Sequence, residues 1–538
     1  MTTETLQHNR WERTLGVFAR LRPGEGLAVL YFMFYGFLVM FSYYMLKTLR
    51  EPLLLSKATA ETKSYAYAVI ALILLLVVPA YGALYQRLPK RQLSIWISAI
   101  LLAVQGSFFL LSQTGMKIGF AYYVWVGIFG VLITAQFWAF AADSFNVKAG
   151  KRIFPLIMIG VSLGGLVGPA AAGRLFQTLG TQGLMLIILA VIALTLPMAG
   201  LARTAVPALS RSFLSAPGPG SNSILGGFSL VMRSRYLLLI AAMIVLLNWV
   251  NTTGEYLLAQ MVIDHADSLI ATNPQLIKGN LIAAFYGNFF SAVNAISLIL
   301  QLFVVSRIIQ WIGVRGAILI LPIIALIGYG MMVFIPIFSM IRVVKMVENS
   351  TDYSLMNTAR HALFLPLGAA EKYQAKIAID AFFWRFGDLI QAVAVYVGLH
   401  FLDFGTRQFA VLNMVLALVW LLLVVQIGKR YVSLEKRASP GEPPRLLHAL
   451  KPQPAPPGVA LSYQLPHNLF HCEPGDILGY TVRPIDEDAL PGWLQFDARS
   501  LTFSGTPTPG IDSNTWLTIR ATNLEGQWVE TRLGFIHI

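Results

Sequence analysis

Asp, Glu, Lys and Arg make up only 12% of this 538-residue chain, so the places where they gather inside apolar sequence carry information. One group, Lys47-Thr-Leu-Arg50-Glu51, ends the apolar run 27–46, with Lys47 and Glu51 four apart on the face of Tyr43. A second holds Arg342, Lys345, Glu348 and Asp352; spacings of three and four put the last three on one helix face. Asp380, Arg385 and Asp388 form the third. Asn248, Asn251, Thr252, Thr253 and Glu255 interrupt a further apolar stretch. Charges inside a membrane are expensive and mark substrate or ion paths by default. The chemistry these types offer is the neutralisation of anions. Lys47, Arg50, Lys345 and Arg385 would bind phosphate or carboxylate oxygens, Arg385 with two parallel hydrogen bonds. Glu348 and Asp388 would hold the bases in register between binding events. Glu255 and Asp380 complete the candidate substrate-binding set. The blander readings are interfacial positions for Lys47 and Asp380, a salt-bridge network around Lys345 and interhelical hydrogen bonds for the Asn pair.

The elements that must position these residues are membrane-spanning helices. Hydrophobic residues make up 56% of the chain and its mean hydropathy is +0.65. Twelve apolar runs are long enough to cross about 30 Å of hydrocarbon: 27–46, 64–86, 93–112, 119–142, 153–175, 181–201, 236–258, 281–304, 315–335, 336–357, 375–402 and 406–428. Pro79, Pro155, Pro169, Pro197 and Pro322 fall inside them and are tolerated there. The polar N-terminus lacks the pattern of a cleavable signal peptide. Basic residues alternate between connections, rich at Arg87–Arg91, Lys148–Arg152, Arg203–Arg235 and Lys429–Arg430. By the positive-inside rule both termini are expected in the cytoplasm, in a multi-pass protein of the cell (inner) membrane. The first connection is the exception, with Lys47, Arg50, Lys57 and Lys63.

The net charge is +14, although the tail from 455 carries four basic and nine acidic residues. The membrane part therefore holds the positive excess, which fits anionic lipid or an anionic small-molecule substrate. No separate basic patch points to nucleic acid. The lone Cys472 excludes an internal disulfide. No zinc-ligand spacing, nucleophile elbow or phosphate-binding loop is present, so neither an enzyme nor a resident cofactor or metal is expected.

The expected order is an amphipathic N-terminus (1–26), a first six-helix half (27–201), a cytoplasmic linker (202–235), a second half (236–430), a Pro-rich linker (431–459) and an all-β module (460–538). Gly82-Ala-Leu-Tyr-Gln86-Arg87-Leu-Pro-Lys90-Arg91 after the second run matches Ser306-Arg-Ile-Ile-Gln310-Trp-Ile-Gly313-Val-Arg315 after the eighth. A parallel repeat of this kind resembles transporters of the major facilitator type. In the tail, short alternating stretches at Ile477–Val482, Leu501–Ser504, Trp516–Ala521 and Leu533–Ile538 predict a small β-sandwich.

Three stretches, LKTLREPLL at 46–54, QFWAFAADSFNVKAGKRIFPLI at 136–157 and YSLMNTARHALFLPLGAAEKYQAKIAIDAFFWRFGD at 353–388, resemble the ATP/ADP translocase family of nucleotide exchangers. FYGNFF at 285–290 adds to the likeness, which covers about 25–430. The resemblance implies twelve helices, cytoplasmic ends and nucleotide exchange, with Lys47, Lys376, Asp380 and Arg385 on family positions. The chain departs from the family pattern at Asn251 (Glu there), Asp388 (Lys), Arg360-His361 (Lys-Glu) and Ala149 (Glu). GDILGY, LPGWLQFD and LTFSGTP make the tail similar to dystroglycan-type cadherin-like or immunoglobulin-like modules, with no partner indicated.

The expected function is secondary transport, an antiport of nucleotides or related phosphorylated anions. Two alternatives stay open: transport of another organic anion or a proton-coupled solute, and a non-transporting scaffold or sensor working through the β-module. Charges lining a central cavity would favour transport, and charges buried in dry helix contacts the scaffold.

Overall fold

A computed structural model describes residues 25–87, 90–145, 147–206, 224–335, 337–367, 375–438, 444–466, 468–471, 478–485, 489–498, 500–509, 514–523 and 527–537. The amphipathic stretch read at 8–22 and Cys472 lie outside the described residues, as do the Gln86 and Arg87 side chains of the repeat motif. The chain divides into two compact units, Met1–Leu434 and Glu435–Ile538.

The first unit is helical because no other element satisfies its own backbone in hydrocarbon except a closed barrel. Among the described residues, nine helical stretches are long and apolar enough to cross a membrane. Two of these run for 53 and 57 residues, far more than one crossing needs. Both break at a glycine in a conformation open almost only to that residue: Gly180 (φ 64°, ψ −167°) and Gly313 (φ 68°, ψ 175°). A helical segment from Phe338 to Ala362, too charged to meet the hydropathy criterion, completes the set. We number the spans α1 Gly26–Leu55, α2 Ala60–Arg87, α3 Lys90–Gln113, α4 Gly119–Ser144, α5 147–179 and α6 181–204. The second half follows with α7 Arg235–Thr272, α8 278–312, α9 314–334, α10 338–362, α11 376–401 and α12 Thr406–Ala438. A short helix, Ile224–Arg233, precedes α7. The first unit is thus an all-α bundle of multiple membrane-length helices, followed in the chain by a small β domain.

Glycines set the closest helix contacts. Gly160, Gly164 and Gly168, one turn apart on α5, lie against the backbone of α1 at Met33, Phe37 and Phe41, where a side chain would collide. Gly173 of α5 meets Gly287 of α8; a Cβ on Gly287 would come within 2.8 Å of the Gly173 Cα, so the two halves touch backbone to backbone there. Among the described residues, π-helical turns interrupt the second half at Leu300–Val304 in α8, Asp352–Met356 in α10 and Ile379–Phe383 in α11. Turns of this kind are frequent at functional sites, because each shifts the register of the side chains that follow.

Several helix ends differ from the sequence expectation. α1 continues to Leu55 although the apolar run stops at 46, and α2 begins at Ala60, before the run at 64. Hydropathy falls at Lys47, Arg50, Glu51 and Lys63, but the last three pair inside the fold and the helix runs through them. Of the four basic residues that made the first connection exceptional, only Lys57 lies outside α1 and α2.

The second unit packs the sheet β2-β9-β8-β5 over β3-β7-β6, with β1 paired to β4. Its strands are β1 Arg445–Leu446, β2 Gln453–Pro454, β3 Leu461–Gln464, β4 Phe470–His471, β5 Gly479–Pro484, β6 Leu494–Asp497, β7 Thr502–Gly505, β8 Thr515–Thr522 and β9 Trp528–Ile536. Leu494 and Phe503 from one sheet meet Leu517, Ile519, Leu533 and Phe535 from the other in a closed core. The Pro-rich stretch expected as linker up to 459 instead supplies β1 and the parallel edge strand β2, whose Pro454 pairs with Ile536. An edge position tolerates proline because one side of the strand needs no donor.

Candidate functional site

A cavity of about 1140 Å³ opens between the halves, walled by α1, α2 and α4 on one side and by α7, α8, α10 and α11 on the other. Of the expected site residues, Lys47, Arg50, Glu255, Asp380, Arg385 and Asp388 line it. Lys345 and Glu348 do not, and their expected place among cavity residues is corrected. Lys345, 0% exposed, pairs with Glu348 at 3.1 Å and donates to Asn251 Oδ1 at 3.3 Å. The Tyr329 hydroxyl of α9 donates to Glu348 at 3.2 Å. Gly254 makes room for this packing, since a Cβ there would come within 2.7 Å of Lys345 Nζ. Asp352, where the π turn of α10 begins, does line the cavity, and past it Tyr353, Met356, Asn357 and Arg360 follow along the same wall.

Four features define the wall chemically. Lys47 donates to the Tyr353 hydroxyl at 3.3 Å and sits 4.4 Å from the Phe290 ring centroid, in an aromatic niche shared with Tyr44. It makes no ion pair among the described residues. Arg360 likewise has no carboxylate partner among them; its guanidinium stacks 4.7 Å over Trp384 and donates to Asn357 Oδ1 at 3.0 Å. Arg385 reaches Asp388 at 3.4 Å, while Asn248 holds the other oxygen of Asp388 at 2.7 Å. Lys376 pairs with Asp380 at 2.8 Å. The Asn248 contact is the interhelical bond that the sequence reading favoured, and it also orients a cavity carboxylate.

Beside the cavity lies a dry cluster that the sequence reading missed. Lys63 of α2, 0% exposed, sits 3.2 Å from Glu51 of α1 and 3.3 Å from Glu255 of α7, and donates to the Tyr286 hydroxyl at 3.4 Å. Glu51 also meets Arg50 at 3.4 Å and accepts from the Tyr123 hydroxyl at 3.2 Å. Arg50 in turn lies 4.0 Å over the Tyr123 ring. Asn349 of α10 donates to Glu255 at 3.1 Å. Lys63 therefore ties the first half to the second through Glu255. Its signal in the sequence was its place in the one connection that broke the charge alternation. Glu51 pairs with Lys63 rather than with Lys47, despite the four-residue spacing.

The site also holds Tyr43, Tyr67 and Trp138 from the first half and Trp384 from the second. Five lining bases (Lys47, Arg50, Arg360, Lys376, Arg385) face four acids (Glu255, Asp352, Asp380, Asp388), and all the acids but Asp352 lie within 3.4 Å of a base.

Two helical halves enclosing a cavity are also found in proteins of known structure. The fold is shared with the nucleoside transporter NupG (TM-score 0.52, 12% identity, covering 76% of this chain and 99% of that one) and with a bacterial homologue of the iron transporter ferroportin in an inward-facing state (TM-score 0.55, 13% identity, 75% and 99%). At these identities the likeness is one of fold. In sequence, the chain is similar to ADP,ATP carrier protein 1 of Chlamydia trachomatis and of Chlamydia muridarum, each 24% identical over 58% of this chain. The chain spans 65% of the length of these two curated relatives. Residues 443–533 match the family model described as Putative Ig domain.

Proposed function

We propose that the protein is a secondary antiporter exchanging nucleotides or related phosphorylated anions across the cell membrane, with both termini cytoplasmic. The observation that carries this reading is the pair of cavity cations without carboxylate partners among the described residues, Lys47 and Arg360. Each already rests on an aromatic face, so a planar base and a phosphate can be met by neighbouring groups. A volume of about 1140 Å³ suits a ligand at the large end of the small-molecule range. The similarity to the chlamydial ADP,ATP carriers supports nucleotides within that class.

The charge arrangement also accounts for exchange. When a phosphorylated anion enters, Lys47 and Arg360 are neutralised, and Arg385 can turn from Asp388 towards the ligand. Asp388 keeps its hydrogen bond from Asn248 meanwhile. When the ligand leaves, the cations stand bare, and moving them through a dry intermediate is costly. Return with a second anion avoids that cost. The Lys63–Glu255 contact joins the halves and must part as the cavity changes sides.

The test is counter-exchange by the whole chain in proteoliposomes. Uptake of labelled ATP is expected only into vesicles preloaded with ADP, ATP or another phosphorylated anion. Equal uptake into empty vesicles, or none with any nucleotide, contradicts the proposal. For topology, Ser433→Cys in a Cys472→Ser background should resist an impermeant thiol reagent added outside intact cells.

A further inference from the structure

The outer face of the β2-β9-β8-β5 sheet is chemically unlike the rest of its domain. Strand alternation and register place Trp516, Thr518 and Arg520 of β8 on one face with Trp528, Glu530 and Arg532 of β9. Arg483 of β5 stands opposite Thr518, which is itself opposite Arg532, so these three form one row across three strands. From β1 onward, residues 445–538 hold six basic and nine acidic residues. Three of the six bases stand on this face, and Glu530 is the one acid within its three strands. An acidic domain thus presents a basic plane.

The aromatic groups frame that plane. Trp516 is 40% and Trp528 52% exposed, at opposite ends of the β8–β9 ladder, roughly 20 Å apart at strand rise. Trp516 covers Gly534, where a Cβ would fall 2.9 Å from its ring, and Trp528 lies 4.3 Å from the Arg520 guanidinium. Arg520 pairs with Glu530 at 2.7 Å, which leaves Arg483 and Arg532, both exposed, as the cations free to meet an external charge. Neither makes an ion pair among the described residues. In sequence the domain is tethered to the helical unit by a short segment, since β1 begins at Arg445, seven residues after Ala438, the last residue of α12.

We propose that this face docks on the headgroups of anionic phospholipid. Arg483 and Arg532 meet lipid phosphates, while Trp516 and Trp528 settle at the headgroup level that suits an indole. A tethered module needs little intrinsic affinity to do this, since its effective concentration at the membrane is high. The docking does not depend on what the helices carry.

The full chain in nanodiscs tests it. In a Cys472→Ser background, Thr481→Cys on this face and Gln495→Cys on the opposite sheet each receive a polarity-sensitive fluorophore. Headgroup-spin-labelled lipid should quench the Thr481 probe in discs containing phosphatidylglycerol, but not in pure phosphatidylcholine, and should spare the Gln495 probe. Each basic residue at an anionic surface is worth about fivefold in binding. Arg483→Gln with Arg532→Gln should therefore lower the docked-to-free ratio about twenty-five-fold, and Trp528→Ala should also lower it in the same anionic discs. High salt should release the module. Equal quenching in phosphatidylcholine, or none in anionic discs, overturns the proposal. So does quenching that survives the double arginine variant. Release by a soluble acidic oligosaccharide at a concentration that leaves ionic strength unchanged would reassign the face to a polyanionic glycan.

Discussion

Lys47 and Lys63 lie on consecutive helices and on either side of one turn, yet they meet different surroundings. Lys47 faces a cavity, touches hydroxyl and aromatic groups, and is half-buried. Lys63 is sealed among Glu51, Glu255 and Tyr286. The second half repeats the contrast, with Arg360 on the cavity wall and Lys345 sealed by Glu348, Asn251 and Tyr329. The difference separates two uses of intramembrane charge. A sealed cation with its own carboxylates is already neutralised and holds helices together. A cation on a wet wall, resting on an aromatic ring, keeps its electrostatic demand for something that comes and goes.

That contrast can be broken by substitution. The largest effect is expected from Lys63→Met, which removes the buried cation shared by Glu51 and Glu255. Loss of one partner from a buried pair typically destabilises by about 3–5 kcal/mol, so thermal unfolding in detergent should occur at a markedly lower temperature. Adding Glu51→Gln should recover part of it. Unchanged stability with lost nucleotide binding would move Lys63 to the cavity side of the comparison. Arg385→Gln sharpens the other limb. Asp388 keeps its bond from Asn248, so stability should fall by less than about 1 kcal/mol, while labelled ATP binding weakens more than tenfold. A loss of fold comparable with Lys63→Met would show Arg385 to be structural.

Much of this arrangement was legible in the sequence, because the bilayer forces apolar runs of a fixed length. Twelve spans, two halves and a terminal sandwich follow from run lengths, a repeat and short alternating strands. The misreadings have physical causes. A hydropathy minimum hid the end of α1 and the start of α2, where Arg50, Glu51 and Lys63 neutralise one another inside the fold. Spacings of three and four placed Lys345 and Glu348 with Asp352 correctly along one helix, but not the depth at which α7 and α9 close over the first two. The π turns at Asp352 and Ile379 leave no periodic signature that a regular helix would reveal. Arg360, beyond one such turn, was accordingly noted only as a departure from a pattern. Pro454 read as part of a linker, although an edge strand accommodates it.

Ligand-induced stabilisation of the intact protein tests the central claim most directly, by comparing the wild type with Lys47→Gln/Arg360→Gln. A ligand that binds only the folded state raises the unfolding temperature in proportion to the logarithm of its concentration over Kd. The account predicts that ADP or ATP raises it for the wild type. In the double variant the unliganded unfolding temperature should be unchanged within a few degrees. Its nucleotide-dependent rise should be absent at concentrations a hundredfold higher, as the loss of two charge-assisted contacts requires. An undiminished rise in the double variant, or a double variant as unstable as Lys63→Met, would contradict the division between wet and sealed charges.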